Sequence, residues 1–579
     1  MKEGGIDAYI IPSSDPHLGE YIPDYWKIIP WLTGFTGSAA TIVVTDSFAG
    51  LWTDSRYFIQ AEMQLANSGF ELVKPTTFQP FDYLEWITSN IGDDKTIGFD
   101  GRLFSITQFR KLEKKLIGKR IIYHNESDLI SEVFTNRPNL PMSKAWDHPP
   151  EFSGIGRSRK IAEVRDQMRK RNIDYHLLTS PEDIMWLLNI RGNDLTYSPL
   201  IFSFALVDKV QILLFVDENR FYAELAAEFD KLGIVMLPYD ECAGMISAMS
   251  EGSSLLISPA TTSVVLYNSI PDKYLIIEDI SIPACLKAIK NKTEVKNIGQ
   301  VMVKDGIAVT KLFWWIENNL GSVPMTECSV IMKLHEFRAQ QPGFISPSFS
   351  TITAYNEHAA LPHYSTTSDS DPEIGEEGIL LIDSGGQYMG GTTDITRTIA
   401  IGTPSIQKKK DFTLVLKGHI SLASAKFPLG TKGYQLDLLA RKALWDNGLN
   451  YGHGTGHGVG YCLNVHEGPQ SISPADNQTI IEPGMLISNE PAIYREGEYG
   501  IRTENLIICF EDEETEFGKF LKFDTVSLCY IDKALIDKSL LDHNEITWLN
   551  SYHSEVFEKL CPYLNDEERE WLREKTEAL

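Results

Sequence analysis

Through the first half of the chain, short apolar runs alternate with stretches whose apolar positions recur every three to four residues. That is the pattern of strands interleaved with amphipathic helices. The pattern also repeats. "GGIDAYIIPSSDP" near the start matches "RNIDYHLLTSPED", "WLTGFTGS" from Trp31 matches "WLLNIRGND" from Trp186, and "WTDSRYFIQAEM" from Trp52 matches "FVDENRFYAELAAEF" from Phe215. Three matches in the same order predict a duplicated α/β unit of roughly 150 residues. Each copy is expected to hold an amphipathic helix, a short apolar strand, and then further strands and helices, with "TIVVT" and "QILLFV" as corresponding buried strands. Prolines interrupt every period in "TNRPNLPMSKAWDHPPEF", which reads as a linker. The copies are placed at 1–150 and 151–283.

A third region, 284–579, opens differently. Val295, Ile298, Val301 and Met302 fall at helical spacing with Lys and Glu between them, which predicts a long amphipathic helix capped by Thr293. From residue 343 to 513 strand-like runs dominate, separated by glycine-rich turns. Beyond 515 the tail is helical again and carries Trp548, Phe557, Leu560 and Trp571. Those side chains need a surface to bury against, a partner subunit being one.

Length and charge sharpen this picture. A chain of 579 residues exceeds a single core, so several domains are expected. With 53 Lys and Arg against 79 Asp and Glu the formal net charge is −26, a field that repels phosphate backbones and anionic lipid, so neither nucleic acid nor membrane is expected as a partner. The one dense basic run, "KKK" at 408–410, reads as a solvated loop. Seven cysteines without a C-x-x-C pair point to reduced thiols. With no long apolar run either, a soluble cytoplasmic protein is expected.

The chemistry concentrates late in the chain. Six of the thirteen histidines lie between His358 and His466, and carboxylates stand in unusual places around them. In "EGILLIDSGGQYMGGTTDITRTIAIG", Asp383 ends an apolar run and Asp394 opens the next, so a strand–turn–strand brings them together. "GMLISNEPAIY" carries Glu490 after an apolar run, and "YGIRTENLIICF" carries Arg502 and Glu504 two apart, on one face of a strand. Any one of these has a plain structural explanation: a turn residue, or an Arg–Glu ion pair. Together they place several carboxylates on apolar strands, and buried carboxylates side by side need a cation. "GHGTGHGVG" supplies His453 and His457. No Lys follows its glycines, so it is not a phosphate-binding loop, and His457 stands where the dinucleotide fingerprint needs its third glycine. A helical H-E-x-x-H zinc site is absent too. Imidazole with mixed carboxylates suits Mn, Fe, Co or Zn.

These segments, with "NVHEGP" and "GIRTENL", resemble the metallopeptidases of the pita-bread fold. The N-terminal "WLTGFTGSAATIVVT" and "LWTDSRYF" and the C-terminal "FDTVSLCYIDKALIDKSLL" are similar to the long, cytosolic, three-domain Xaa-Pro aminopeptidases (aminopeptidase P). The resemblance implies an α/β multidomain chain: two creatinase-type N-terminal domains, then a pita-bread catalytic domain with a C-terminal extension from about residue 515. It implies five metal ligands. Asp383 would hold one ion through both oxygens, Asp394 and Glu504 would bridge two, and His457 and Glu490 would complete the other sphere. His363, His453 and His466 match the family's active-site histidines, which contact substrate and handle protons. Glu490 would accept the proton of the attacking water, and Arg502 would hold the carboxylate network.

The implied reaction releases the N-terminal residue of peptides with proline second, a water activated between two divalent ions attacking the Xaa-Pro bond. Mn(II) is the ion the resemblance suggests, and Zn(II) or Co(II) fit the same ligands. A homodimer through the C-terminal domain comes with it. A proline dipeptidase shares the five ligands but is built with one N-terminal domain, so the duplication favours the aminopeptidase. A creatinase-like hydrolase needs no metal, and a catalytically silent binding protein on this fold is expected to lose ligands; none is lost here.

Overall fold

The computed structural model describes the chain apart from residues 55–56, 75–82, 127, 249–251 and 367–370 and the side chain of residue 59. Two positions of the "LWTDSRYF" match, 55 and 56, therefore lie outside the described residues. The chain gathers into two compact units. One comprises Met1–Asp147, Ile155–Leu195 and Leu200–Pro283; the other comprises His148–Gly154, Thr196–Pro199 and Ala284–Leu579.

The first unit holds two six-stranded sheets. One is built from β1 (Ala8–Pro12), β2 (Ala40–Thr45), β3 (Ala49–Thr53), β4 (Glu71–Val73), β5 (Lys95–Phe99) and β6 (Ile121–His124), in the order β4-β3-β2-β1-β5-β6. The other is built from β7 (Tyr175–Leu178), β8 (Phe204–Val207), β9 (Ile212–Phe215), β10 (Ile234–Leu237), β11 (Ser254–Ile257) and β12 (Leu275–Glu278), in the order β10-β9-β8-β7-β11-β12. The second order is the first with six added to every number. Each sheet is antiparallel across its first three strands and parallel outward from there. The duplication is therefore a duplication of topology.

One correspondence shifts. "TIVVT" lies in β2, whereas "QILLFV" spans β9, the counterpart of β3. Each copy carries two consecutive apolar antiparallel strands, and an apolar run alone does not say which of the two it is. The proline-rich linker is also partly ordered, since Trp146–Asp147 pairs with Ile190–Arg191 and Pro150–Ser153 forms one helical turn.

The second unit opens with α1 (Lys292–Asn319). Its cap is Asn291, not Thr293. The Asn291 side chain accepts from the backbone N–H of Thr293 and Glu294, and Glu294 accepts in turn from the Asn291 N–H, so three donors at the helix start are satisfied. Thr293 sits inside the first turn. After α2 (Glu327–Ala339) come β13 (Ile352–Tyr355), β14 (Gly378–Ser384) and β15 (Ile395–Ile401), which form an antiparallel sheet in sequence order.

Two helices interrupt the region read as strands: α3 (Ile406–Ala423) and α4 (Gly433–Trp445). The "KKK" run is part of the first turns of α3 rather than a loop. The strand reading failed because α3 is buried nearly all round. Phe412, Leu414, Val415, Leu416, Ile420 and Leu422 are all core residues, and such a run lacks the polar face that marks a surface helix.

A second sheet follows, from β16 (Lys426–Pro428), β17 (Gly456–Gly458), β18 (Glu467–Ile472), β19 (Leu486–Asn489), β22 (Asn505–Thr515) and β23 (Gly518–Thr525), in the order β16-β23-β22-β19-β17-β18. Between β19 and β22 the chain makes a hairpin, β20 (Ala492–Arg495) with β21 (Tyr499–Arg502).

The tail ends in α5 (His543–Leu560) and α6 (Asp566–Thr576). Its aromatics find their home in the same chain. Leu560, Trp571 and Tyr552 join a core with Phe313 and Ile316 of α1 and Ile399 of β15, with Trp548 and Phe557 packed on its edge. The Trp571 indole donates to Glu317 at 2.9 Å. Burial of the tail thus needs no partner subunit. No helix among the described residues is long and apolar enough to cross a membrane.

Candidate metal centre

Asp383 reaches the centre because the apolar residues Ile379–Ile382 bury β14 and leave the strand's end at the site. In the β14/β15 register Asp383 faces Thr396, so the loop between them returns Asp394 to the same end. The loop closes tightly at Gly385, where a Cβ would stand 2.0 Å from the Thr393 carbonyl. His457 is the middle residue of β17, an extended strand rather than a helix. Its flanking glycines answer to the neighbouring strands: a Cβ at Gly456 would lie 1.8 Å from the Ser488 carbonyl oxygen, and one at Gly458 would lie 2.3 Å from that of Glu467. What crowds this motif is protein backbone. Glu490 follows β19, Arg502 ends β21, and Glu504 immediately precedes β22.

These elements converge. One donor atom each from Asp394, His457 and Glu504 lies within 4.8 Å of the others. His457 Nε2 stands 3.4 Å from Asp394 and 3.5 Å from Glu490. The other ring nitrogen, Nδ1, donates to the Gly458 carbonyl at 2.9 Å, so Nε2 is the nitrogen turned toward the carboxylates. Ser488 links the two sides by accepting from the His457 N–H and donating to Glu490 at 3.1 Å.

Arg502 organises the rest. It binds Asp383 at 2.5 Å through Nη2, donates to the Tyr494 hydroxyl at 2.6 Å through Nη1, and donates to Thr396 Oγ1 at 3.1 Å through Nε. Thr396 passes the link on, donating to Glu504 at 2.6 Å. The ion pair of Arg502 is thus with Asp383, while Glu504 is reached through a hydroxyl. Tyr494 also meets His453 Nε2 at 2.9 Å, so His453 is tied to Asp383 through Tyr494 and Arg502. The His466 ring meets that of His457 edge to face at 4.3 Å. His363 follows the short turn Asn356–Ala360, whose Ala359 carbonyl presses against Gly500 on β21. Thr396, Ser488 and Tyr494 went unread as site residues, although Tyr494 lies in the quoted "NEPAIY" and Thr396 in "DITRT".

The charges show what the arrangement lacks. Burial raises the Asp383 carboxyl despite Arg502, with Asp394 adding repulsion. Burial pushes Glu490 up to about 7, against the attraction of His457 and Arg502. Glu504 is raised well above the usual carboxylate range by burial and by Asp394, Glu490 and Asp383. Burial alone would lower His457, but its bond to Asp394 and the charges of Glu490 and Asp394 outweigh that and raise it to about 9. Burial and mutual repulsion thus work against the charged forms of these carboxylates. Asp383 Oδ1 is buried without a hydrogen-bond partner. An orphaned carboxylate oxygen beside mutually repelling carboxylates and an imidazole Nε2 turned toward them fits divalent metal, and the donor set suits Mn, Fe, Co or Zn.

Known proteins match along the whole chain. Metallopeptidase family M24 matches residues 296–511, the creatinase/prolidase N-terminal domain matches twice, at 1–131 and 136–294, and the C-terminal region of peptidase M24 matches 519–579. Aminopeptidase P2 of Arabidopsis thaliana is 37% identical, the match covering 99% of this chain and 86% of the relative. The crystal structure of an X-prolyl aminopeptidase from Caenorhabditis elegans, described as a cytosolic enzyme with a di-nuclear active site, superposes with a TM-score of 0.94 at 34% identity, covering 99% of this chain and 95% of that one. A prolidase from Thermococcus sibiricus shares the fold, with a TM-score of 0.52 at 24% identity; it covers 65% of this chain and 98% of its own. The chain belongs to metallopeptidase family M24, in its aminopeptidase P (Xaa-Pro aminopeptidase) branch.

Proposed function

We propose that this enzyme releases the N-terminal residue from peptides with proline second, using two Mn(II) ions held by Asp383, Asp394, His457, Glu490 and Glu504. The observation that carries the ligand set is the convergence just described: an orphaned Asp383 oxygen and carboxylates raised by burial and then by one another. Two such ions would supply a water acidified to near neutral pH and stabilise the negative charge that develops on the carbonyl oxygen.

The chain's own residues do the remainder. Glu490 accepts the water's proton; its carboxylate stands 3.5 Å from His457 Nε2 and is held by the Ser488 hydroxyl. Arg502 holds Asp383 in place and fixes the Tyr494 hydroxyl, which orients His453 toward the substrate. His453 or His466 stabilises the oxyanion, and one of the site histidines, His363 among them, protonates the proline nitrogen. His453→Ala should lower kcat at least tenfold with metal content intact, since one such donor is typically worth about 2.7–4 kcal/mol. An unchanged kcat removes that role.

The resemblance adds a cytoplasmic location and a homodimer through the C-terminal domain. An exposed apolar stripe on α4, formed by Tyr434, Leu438 and Trp445, is surface of the kind such interfaces cover. The deciding experiment compares hydrolysis of Xaa-Pro-Xaa, Xaa-Pro and a proline-free tripeptide, each with and without Mn(II). Release of the first residue from Xaa-Pro-Xaa alone, dependent on metal, is the expected result. Cleavage of the Xaa-Pro dipeptide alone would make the enzyme a dipeptidase.

A further inference from the structure

Behind the carboxylates lies a cation with an unusual set of partners. Alternation along β15 sends Thr396 and Thr398 toward the centre and Arg397 the opposite way. Arg397 is 3% exposed, yet its acceptors among the described residues are all neutral. Nε donates to the Tyr530 carbonyl at 2.9 Å. Nη1 donates to the carbonyls of Thr396 at 2.9 Å and Glu504 at 2.6 Å. Nη2 donates to Asn505 Oδ1 at 2.8 Å, the Cys529 carbonyl at 2.8 Å and the Tyr552 hydroxyl at 2.9 Å. A guanidinium has five N–H donors, so these contacts saturate it. A buried charge compensated only by dipoles tolerates little displacement of those dipoles.

The acceptors fall into two sets. Thr396, Glu504 and Asn505 belong to the segments that carry Asp394 and Glu504. Cys529, Tyr530 and Tyr552 belong to the C-terminal region. The Tyr552 hydroxyl sits at the crossing: it is within 3.0 Å of the Ser527 and Cys529 carbonyls and accepts from the Cys529 N–H at 3.3 Å. The network extends to Glu490. The Asn505 amide meets His419 Nε2 at 3.1 Å, and His419 Nδ1 meets the carbonyl of Asn489, the residue before Glu490, also at 3.1 Å.

Building on the ligand assignment above, we propose that Arg397 and Tyr552 are positioning residues for the metal centre, through which the C-terminal region holds the backbone of Glu504 and of the Asp394 strand and so sets metal affinity. The rival account is that this tail only stabilises the fold.

Tyr552→Phe separates the two accounts, because it keeps the ring and removes only the hydroxyl. Metal-stripped, full-length protein is titrated with Mn(II) by calorimetry. Wild type is expected to bind two ions, and Tyr552→Phe to bind them with an apparent Kd at least tenfold weaker, within the roughly 10–100-fold typical of groups behind metal ligands. Its kcat should recover at saturating Mn(II). Arg397→Lys, which offers fewer donors, should weaken binding further. Trp571→Phe is the control in the same tail: it loses the indole bond to Glu317 and should lower Tm with Mn(II) affinity unchanged. If Tyr552→Phe binds Mn(II) no more weakly than Trp571→Phe, the positioning role is overturned. If wild type binds no Mn(II), the ligand assignment itself falls, a separate outcome.

Discussion

Replacing Glu504 by Gln should stabilise the metal-stripped protein and destabilise the metal-loaded one. In the stripped protein Glu504 is buried among Asp394, Glu490 and Asp383, with the Thr396 hydroxyl as its one favourable side-chain bond. A Gln oxygen still accepts that bond, so the substitution removes charge and little else. Asp394 and Glu504 have donor atoms within 4.8 Å, where two full charges repel by about 3.5 kcal/mol at an effective dielectric near 20. Screening and relaxation around the site take up part of that, so the expected gain is smaller, about 1–3 kcal/mol. With metal the sign reverses. Each ion at a hundredfold excess over its Kd adds about 2.7 kcal/mol to the folded state, and loss of a carboxylate proposed to serve both ions would weaken both. Urea unfolding at pH 8, in EDTA and in excess Mn(II), reads both numbers. A variant less stable than wild type in both conditions by the same amount would refute the reasoning, since Glu504 would then act as an ordinary buried structural group.

The remaining predictions concern the frame around the site. His358 is raised above its ordinary value chiefly by its bond to Glu327, against burial, so the pair's stabilisation is full below pH 6.5 and is lost as pH rises through the higher folded value. Urea titrations from pH 5 to 9 should therefore show Glu327→Gln losing most stability at the acid end, with the gap to wild type narrowing as pH rises. Arg338, 1% exposed, pairs with Asp305 at 2.8 Å and donates to Ser384 beside Asp383. Arg338→Ala leaves Asp305 buried and unpaired and should cost about 3–5 kcal/mol in urea melts. Gly456→Ala places a methyl 1.8 Å from the Ser488 carbonyl, so β17 must shift. Stability should fall by about 1–3 kcal/mol and Mn(II) binding should weaken, measured by calorimetry.

The site was more legible in the sequence than the frame that builds it. Asp383, Asp394, Glu490 and Glu504 announce themselves because a carboxylate at the end of an apolar run contradicts the run, and contradictions of that kind mark functional positions. Thr396 and Tyr494 carry no such contradiction. Thr is an ordinary strand residue and Tyr an ordinary half-buried one, and only the register shows that their hydroxyls join Glu504 and His453 to Arg502. The helix α3 was hidden for the opposite reason, its polar face having been given up to burial on most sides. Asn291 lost the cap to Thr293 in the reading because both are good caps two residues apart, and the choice depends on which hydroxyl or amide meets the first free N–H groups. The tail aromatics looked partnerless because a sequence does not say that α1, more than two hundred residues earlier, waits for them.

The division of β15 into two faces also limits how this gene can change. Its threonines serve the carboxylates, while Ile395, Arg397, Ile399 and Ile401 serve the tail and the core. Deleting or inserting one residue inside the strand would exchange the faces at every position beyond the change, pointing a guanidinium into the site and threonines into a hydrophobic interior. Substitutions in this strand can be tried one at a time. Length changes cannot, and they are open to evolution only in the turn after Ile401, since the loop before the strand has to return Asp394 to the site.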